Sequence, residues 1–112
     1  MAYQIVFYNH KVEAEILNWP TGIVASFSKI AQRIEEYGPN IGMPFTKPMG
    51  DGIFEIRARG IEGIGRGLFC LELDQKVIIL HAFIKKTPKT PKEDLDIART
   101  HLKEIRHEKN KR

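Results

Sequence analysis

The sequence predicts an α+β fold, in which a helical hairpin and a C-terminal helix pack on a small antiparallel sheet in the order β-α-α-β-β-β-α. Two observations lead to this prediction. Residues 23–37 carry apolar side chains at helical spacing, and residues 53–84 hold three β-favouring runs separated by short turns. Because an amphipathic helix must bury its apolar stripe, the helices are expected to pack on that sheet.

The N-terminal third predicts one strand and two helices. Residues Tyr3 to Tyr8 favour β-structure, and Asn9 suits the N-cap of the helix that follows. Pro20 interrupts this helix and begins a second one. The second helix ends at Gly38-Pro39, and its apolar stripe comprises Ile23, Phe27, Ile30, Ile34 and Tyr37.

The central part of the chain predicts the sheet. Residues 40–51 are rich in proline and glycine and indicate a loop, and strands are expected at 53–59, 64–73 and 76–84. In the last of these strands, Val77 to Leu80 are apolar on both faces. Such a run is typical of a central strand that is covered on both sides.

The C-terminal helix has a clear start in the sequence. Thr90 suits the N-cap, Pro91 suits the first helical position, and Glu93 would complete a capping box with Thr90. We expect a single domain over residues 1–112, with a loose tail at 106–112. The apolar face of this helix comprises Leu95, Ala98, Leu102 and Ile105.

The overall composition restricts the class of protein. A net charge of +4 and a pI near 9.3 favour an anionic partner, and the single cysteine, Cys70, excludes an intrachain disulfide. Cys70 lies in an apolar run and is interpreted as a core residue rather than a catalytic thiol. Because no stretch has the pattern of a signal peptide or a membrane span, we expect a cytoplasmic protein that contacts no membrane.

The sequence predicts neither a metal site nor an organic cofactor. The histidines are scattered, and none has metal-ligand spacing to a cysteine or a second histidine. The glycine-rich run Gly63 to Gly67 precedes a strand and has no following Lys-Ser or Lys-Thr, so it does not form a P-loop.

Alternation along the predicted strand at 53–59 separates apolar from charged side chains. One face is apolar, and the other carries Glu55, Arg57 and Arg59. The short connection to the next strand favours an antiparallel pair, which would bring Arg66 close to Arg57. The sequence therefore predicts a row of charge across one side of the sheet.

The turn between the last two predicted strands fixes which residues join this row. A two-residue turn at Asp74-Gln75 would pair Arg66 with Phe83, and His81 and Lys85 would then share the face of Arg66. A slip of one residue would reverse the grouping. His81 is interpreted as a hydrogen-bonded structural residue rather than a proton-transfer group.

The charged face has two interpretations. Guanidinium and ammonium groups can hold a phosphodiester and stabilise its charge while an RNA 2′-hydroxyl attacks it. In that case Glu55 is the base, Arg57 and Arg66 are the stabilisers, and Lys85 or Lys86 is a phosphate clamp or acid. Residue spacing alone favours the alternative, a solvated face with cross-strand ion pairs.

Three segments carry recognisable motifs. Residues 44–57 contain Met-Gly-Asp-Gly-Ile-Phe-Glu-Ile-Arg, residues 63–66 read Gly-Ile-Gly-Arg, and residues 81–93 contain Phe-Ile-Lys-Lys-Thr. Together with the predicted order of elements, these segments resemble the RelE/ParE-like toxin superfamily, and most of all its phage-derived, HigB-like branch. The resemblance extends from Tyr3 to about Ile105.

The resemblance implies a toxin of a type II toxin-antitoxin system, which cuts mRNA in the ribosomal A site and needs no cofactor. It implies as partners the ribosome, mRNA and a cognate antitoxin, which we expect to be a helix-turn-helix protein from an adjacent gene. By position, it assigns the basic catalytic residues as Arg57, Arg66, and Lys85 or Lys86. Additional RNA contacts are expected from Lys47, Arg59, Lys89 and Lys92.

Two features depart from the RelE pattern. Glu55 stands where the RelE branch has a lysine, and the last helix has no tyrosine to stack on a base. Glu55 is therefore either a general base or an indication that the chemistry of this site differs from that of the RelE branch. ParE-like relatives share the fold and inhibit DNA gyrase, so one alternative function is that of a gyrase-inhibiting toxin. The other alternative is a non-toxic phage-derived binding module.

Overall fold

The structure is a computed structural model that describes residues 2–110, with the backbone alone for residues 109 and 110. It contains five strands and three α-helices. In chain order they are β1 (Gln4–Phe7), α1 (His10–Leu17), α2 (Thr21–Tyr37), β2 (Thr46–Gly50), β3 (Ile53–Gly60), β4 (Gly63–Glu72), β5 (Lys76–Ile84) and α3 (Lys92–Asn110).

The strands form one sheet in the order β1-β5-β4-β3-β2. The α+β prediction is confirmed, but the sheet differs from the expected one in two respects. β1 pairs with β5 in parallel, so the sheet is mixed, and β2 lies within the predicted loop at 40–51. β2 is an edge strand that contains Pro48, and proline is tolerated at a sheet edge because one side of the strand needs no partner.

The helices cover both faces of the sheet. α1 and α2 pack on one face, where Ile23, Ile34 and Ile56 are fully buried, and α3 packs on the other. β5 lies between β1 and β4, contacts both α1 and α3, and contributes Val77 to one core and Leu80 to the other. The predicted central strand is therefore confirmed. Burial of each large aliphatic side chain contributes about 1.5–3 kcal/mol, which fixes the helices on the sheet.

The corner between α1 and α2 lies directly on β4. Asn9 caps α1 as predicted, since its Oδ1 accepts a hydrogen bond of 3.0 Å from Val12 N. At Gly65, a Cβ atom would lie 2.6 Å from the Trp19 ring. Only glycine permits this close approach. The neighbouring Arg66 points to the opposite face of the sheet.

The β4–β5 hairpin reaches the predicted pairing by a different route. The predicted two-residue turn is wrong, because Leu73–Gln75 form a three-residue turn that pairs Glu72 with Lys76. Further along, Phe69 pairs with Ile79 but Leu68 pairs with His81, so Leu80 is an extra residue in β5. This β-bulge offsets the longer turn. Arg66 consequently lies opposite Phe83, as predicted.

The start of α3 differs from the predicted capping box. The helix begins at Lys92, where Leu95 N donates to Pro91 O at 3.1 Å. The Thr90 hydroxyl bonds to Glu55 and Arg66. Hydrogen bonds to charged groups are stronger than those to a neutral backbone amide, which explains this preference. α3 continues to Asn110, so most of the expected loose tail at 106–112 is helical, and residues 111 and 112 lie outside the described residues.

Candidate active site

The pairing of β3 with β4 places two arginines side by side. Arg57 lies directly opposite Arg66. Like charges at paired positions repel each other, so the arrangement needs an anion nearby. Glu55 supplies it. Its Oε2 lies 3.3 Å from Arg66 Nη1, and its Oε1 lies 3.8 Å from Arg57 Nε.

The two arginines differ in their access to solvent. The side chains of Arg66 and Glu55 are both 2% exposed, whereas that of Arg57 is 22% exposed. Arg57 is therefore the member of the pair that can donate to a ligand without rearrangement. Arg66 is buried, and its ion pair with Glu55 fixes the positions of both side chains.

Residues 85–91, which we call the strap, connect β5 to α3 and cover this ion pair. Arg66 Nη2 donates to Pro88 O at 3.1 Å, and Arg66 Nη1 donates to Thr90 Oγ1 at 2.7 Å. The Thr90 hydroxyl in turn donates to Glu55 Oε2. Arg66 Nε is buried and has no hydrogen-bond partner among the described residues. This role of Thr90 is not evident from the sequence, in which the residue fits the capping pattern of a helix.

A cleft of about 320 Å³ opens beside the ion pair and collects most of the predicted site residues. We call it the central cleft. The residues that line it are Lys47, Met49, Glu55, Arg57, Arg66, Pro88, Lys89 and Thr90. Five of the predicted residues thus meet around one depression, and four of these carry positive charge. Such a cluster suits an anionic group, above all one that accepts several charged hydrogen bonds.

The remaining predicted residues lie elsewhere. Arg59 lines a neighbouring cleft together with Arg57. Lys86 lines a separate cleft that includes Glu15 and Asp94. Lys92 is on the exposed side of α3, where its Nζ lies 3.1 Å from Asp96 Oδ2. Lys86 and Lys92 are therefore not part of the central cleft.

The pKa of Lys85 reflects the electrostatic potential next to the cleft. Loss of hydration lowers the pKa of its ammonium group, and the positive charges of Arg66, Arg57 and Arg59 lower it further. Glu55 opposes the shift. Since neighbouring cations outweigh the one carboxylate, the site carries an excess of positive charge that an anion would neutralise.

His81 lies on the α3 face of β5, apart from the central cleft. Its Nε2 is 2.7 Å from Asp94 Oδ1, in the first turn of α3. This contact joins the helix to the sheet, as expected of a hydrogen-bonded structural histidine. Throughout residues 2–110, no three side chains of histidine, cysteine, aspartate or glutamate come together as a candidate metal site.

The family of the chain follows from its sequence. The model of the family "Phage derived protein Gp49-like (DUF891)" matches residues 14–103, which include the end of α1, all of α2, the central cleft and most of α3. The chain belongs to this family. Curated protein sequences contain no significant match to it.

Solved structures show which fold this Gp49-like protein adopts. The E. coli toxin RelE, in the free state of an arginine-to-alanine double mutant, is similar with a TM-score of 0.58 at 15% identity. The match covers 94% of this chain and 99% of that one. RelE in the RelE-RelB complex of Pyrococcus horikoshii is similar with a TM-score of 0.55 at 19% identity, over 75% and 96% of the two chains.

These similarities confirm the RelE-like fold that the sequence motifs imply. The shared architecture extends over nearly the whole chain in the E. coli structure. Across the part of the chain that the structure describes, no helix combines the length and apolar character needed to cross a membrane.

Proposed function

We propose that this Gp49-like protein is the toxin of a type II toxin-antitoxin system and cleaves mRNA on the ribosome. The observation that carries the proposal is the contact of Arg57 and Arg66 with the Glu55 carboxylate, beside a cleft large enough for a phosphodiester and part of a nucleotide. Lys85 lies near enough for the charges of these residues to shift its pKa. The RelE-like fold and the matching motif positions support the same class of activity.

In this proposal the scissile phosphate lies in the central cleft against Arg57. The negative charge on the nonbridging oxygens grows as the 2′-hydroxyl attacks, and a guanidinium held in place beforehand stabilises that growth. Arg57 is suited to this role because it faces the cleft and is partly exposed. Lys89 in the cleft and Lys85 nearby supply further positive charge.

Proton transfer is assigned to Glu55 and Lys85. The 2′-oxygen bonds to phosphorus while the bond to the 5′-oxygen breaks, leaving a 2′,3′-cyclic phosphate and a free 5′-hydroxyl. Glu55 is the base in this proposal and accepts the proton of the 2′-hydroxyl through Oε1, the oxygen on the side of Arg57. Because its side chain is only 2% exposed, the proposal requires the strap to shift when RNA binds, so that Oε1 reaches the hydroxyl. Lys85 protonates the departing 5′-oxygen, and its lowered pKa makes it a stronger acid than an ordinary lysine.

Arg66 is assigned a positioning role. Its guanidinium is 2% exposed and bonds to Glu55, Thr90 and the backbone of Pro88. These contacts orient the Glu55 carboxylate and fasten the strap beside the cleft. The charge of Arg66 also adds to the positive potential that Lys85 experiences.

A cognate antitoxin is the proposed protein partner. RelE of P. horikoshii, which shares the fold, forms a complex with RelB. By this likeness we expect a small antitoxin, encoded next to this chain, to bind it and suppress its activity. The proposed place of action is the cytoplasm, where ribosomes and mRNA are found.

Induced expression without the antitoxin tests the proposal in cells. We expect growth arrest with new mRNA 5′ ends inside coding regions, and wild-type growth on induction of Arg57→Ala. Growth arrest with intact mRNA and inhibited supercoiling by gyrase would instead identify the gyrase-inhibiting alternative. Normal growth on induction of the wild-type protein would favour the non-toxic binding module.

A further inference from the structure

We propose that single-stranded RNA next to the scissile phosphate binds in a groove that leads from Arg57, past Arg59 and Phe45, to Lys29 and Arg33 on α2. We call this path the α2 groove. The inference rests on the proposed function for the identity of its ligand and adds a binding surface on the opposite side of Arg57 from Glu55.

The α2 groove adjoins the central cleft at Arg57. A second cleft of about 210 Å³ shares Arg57 with the central cleft. A third, of about 530 Å³ along α2, shares Ser26, Phe45 and Arg59 with the second. A polynucleotide whose phosphate lies at Arg57 can therefore extend from one of these adjoining clefts to the next, toward α2.

The charges along this path are mostly positive. Arg57 and Arg59 on β3 are followed by Lys29 and Arg33, which lie one helical turn apart on the exposed face of α2. Glu36 is the acidic residue that lines the path. A series of cations at successive positions complements the repeating charge of a nucleic acid backbone.

Phe45 provides an aromatic surface within the groove. Its ring is half-buried, and the Arg33 guanidinium carbon lies 5.0 Å from the ring centroid. Aromatic rings and arginine planes both stack on unpaired bases whatever their sequence. The combination of stacking groups and cations distinguishes this groove from the isolated lysines elsewhere on the surface.

The backbone connects this aromatic surface rigidly to the central cleft. Arg57 N donates a hydrogen bond of 2.9 Å to Phe45 O, and Phe45 N donates one of 3.0 Å to Gly42 O. Phe45 consequently keeps a fixed position relative to Arg57. A nucleotide stacked there would set the register of the RNA at the scissile phosphate, which gives the groove a role in positioning the substrate.

Binding of cleavage-resistant 2′-O-methyl RNA oligonucleotides of increasing length tests the inference by fluorescence anisotropy. For the wild-type protein, we expect the affinity to rise with length as the α2 groove fills. The variant Lys29→Glu/Arg33→Glu should bind short oligonucleotides normally and lose the gain with length. Its slope of log Kd against log salt concentration should fall by about 1.4, since each phosphate contact to a single strand contributes about 0.7.

A charge-matched control is Lys11→Glu/Lys103→Glu, which changes two exposed lysines on α1 and α3, outside the groove. It should keep the length dependence and the salt slope of the wild-type protein. Circular dichroism and urea unfolding verify that both variants are folded. Unchanged length dependence in the α2 variant would overturn the inference, as would loss of antitoxin binding with unchanged RNA binding.

The assay separates this inference from the proposed function. Because the oligonucleotides resist cleavage, binding is measured whether or not the protein is a nuclease. Length-dependent binding without mRNA cleavage would support RNA binding in the α2 groove and contradict the proposed nuclease activity. Cleavage by the wild-type protein with no length dependence would contradict the groove alone.

Discussion

Arg66 and Glu55 form an ion pair in which Nη1 lies 3.3 Å from Oε2 and each side chain is 2% exposed. Two buried charges lose most of their hydration, and their attraction compensates only if other hydrogen bonds satisfy the remaining polar atoms. Thr90 and Pro88 provide such bonds. The pair therefore fastens the strap to the sheet, in addition to its place beside the central cleft.

Removal of the guanidinium should destabilise the protein strongly. Arg66→Ala leaves the Glu55 carboxylate buried without its main counter-charge, so we expect the free energy of unfolding to fall by about 3–5 kcal/mol. Arg57→Ala is the matched control. Because Arg57 is partly exposed and more distant from Glu55, its removal should cost about 1 kcal/mol or less. Urea unfolding compares the two, and equal losses would contradict this account of the pair.

The Thr90 hydroxyl should contribute to the stability of the fold through its hydrogen bonds to Glu55 and Arg66. Thr90→Val keeps the shape of the side chain but removes the bonds to Glu55 and Arg66, and it should lower the free energy of unfolding by about 1–3 kcal/mol. Thr90→Ser keeps a hydroxyl and should retain most of the stability. If the two variants unfold alike, the hydroxyl contacts contribute little to the fold.

Arg57 should affect catalysis far more than folding. Loss of one preorganised donor to a developing oxyanion costs about 10²–10³-fold in rate, and we expect Arg57→Ala to lower kcat for mRNA cleavage by this factor. Lys103→Ala, on the exposed side of α3, should leave kcat unchanged. Single-turnover cleavage on programmed ribosomes measures both. A normal kcat for a folded Arg57→Ala protein would remove Arg57 from the mechanism.

Lys85 should destabilise the native state at neutral pH. Its pKa in the folded protein lies below the ordinary value of 10.5, because of lost hydration and the nearby arginines. At pH values between the folded-state pKa and 10.5, the unfolded chain binds more protons at this group than the folded protein does. The contribution of Lys85 to the free energy of unfolding therefore rises as the pH rises. Lys85→Met should therefore stabilise the protein at neutral pH, and the difference should shrink toward pH 10.5 and in high salt. A destabilised variant, or a difference independent of pH, would contradict the electrostatic account.

The sequence predicts those features that depend on periodicity. The stripe that includes Ile23 and Ile34 and the two apolar faces of Val77 to Leu80 require only the repeat of a helix or a strand. The pairing of Arg66 with Phe83 is also correct, although the predicted turn is wrong, because the bulge at Leu80 restores the register. The three-residue turn and the bulge, neither of which the sequence pattern specifies, compensate for each other in the strand register.

Features that depend on distant contacts are not visible in the sequence. Alternation places Glu55 and Arg66 on the charged face, but it does not show that the strap covers them. Thr90 meets Glu55 across 35 positions of the chain, and a local capping pattern explains the same residue in isolation. Likewise β2 could not be predicted as a strand, because it contains Pro48 and Gly50, and proline and glycine usually indicate a loop.

The chemistry of the cut RNA end tests the central claim most directly. Purified protein is incubated with ribosomes programmed with a defined mRNA, and the same message is prepared with a single 2′-deoxynucleotide on the 5′ side of the cut bond. We expect cleavage at the A-site codon with a 2′,3′-cyclic phosphate, and no cleavage at the deoxynucleotide. An intact message with folded wild-type protein, or equal cleavage of the deoxy-substituted message, would contradict it.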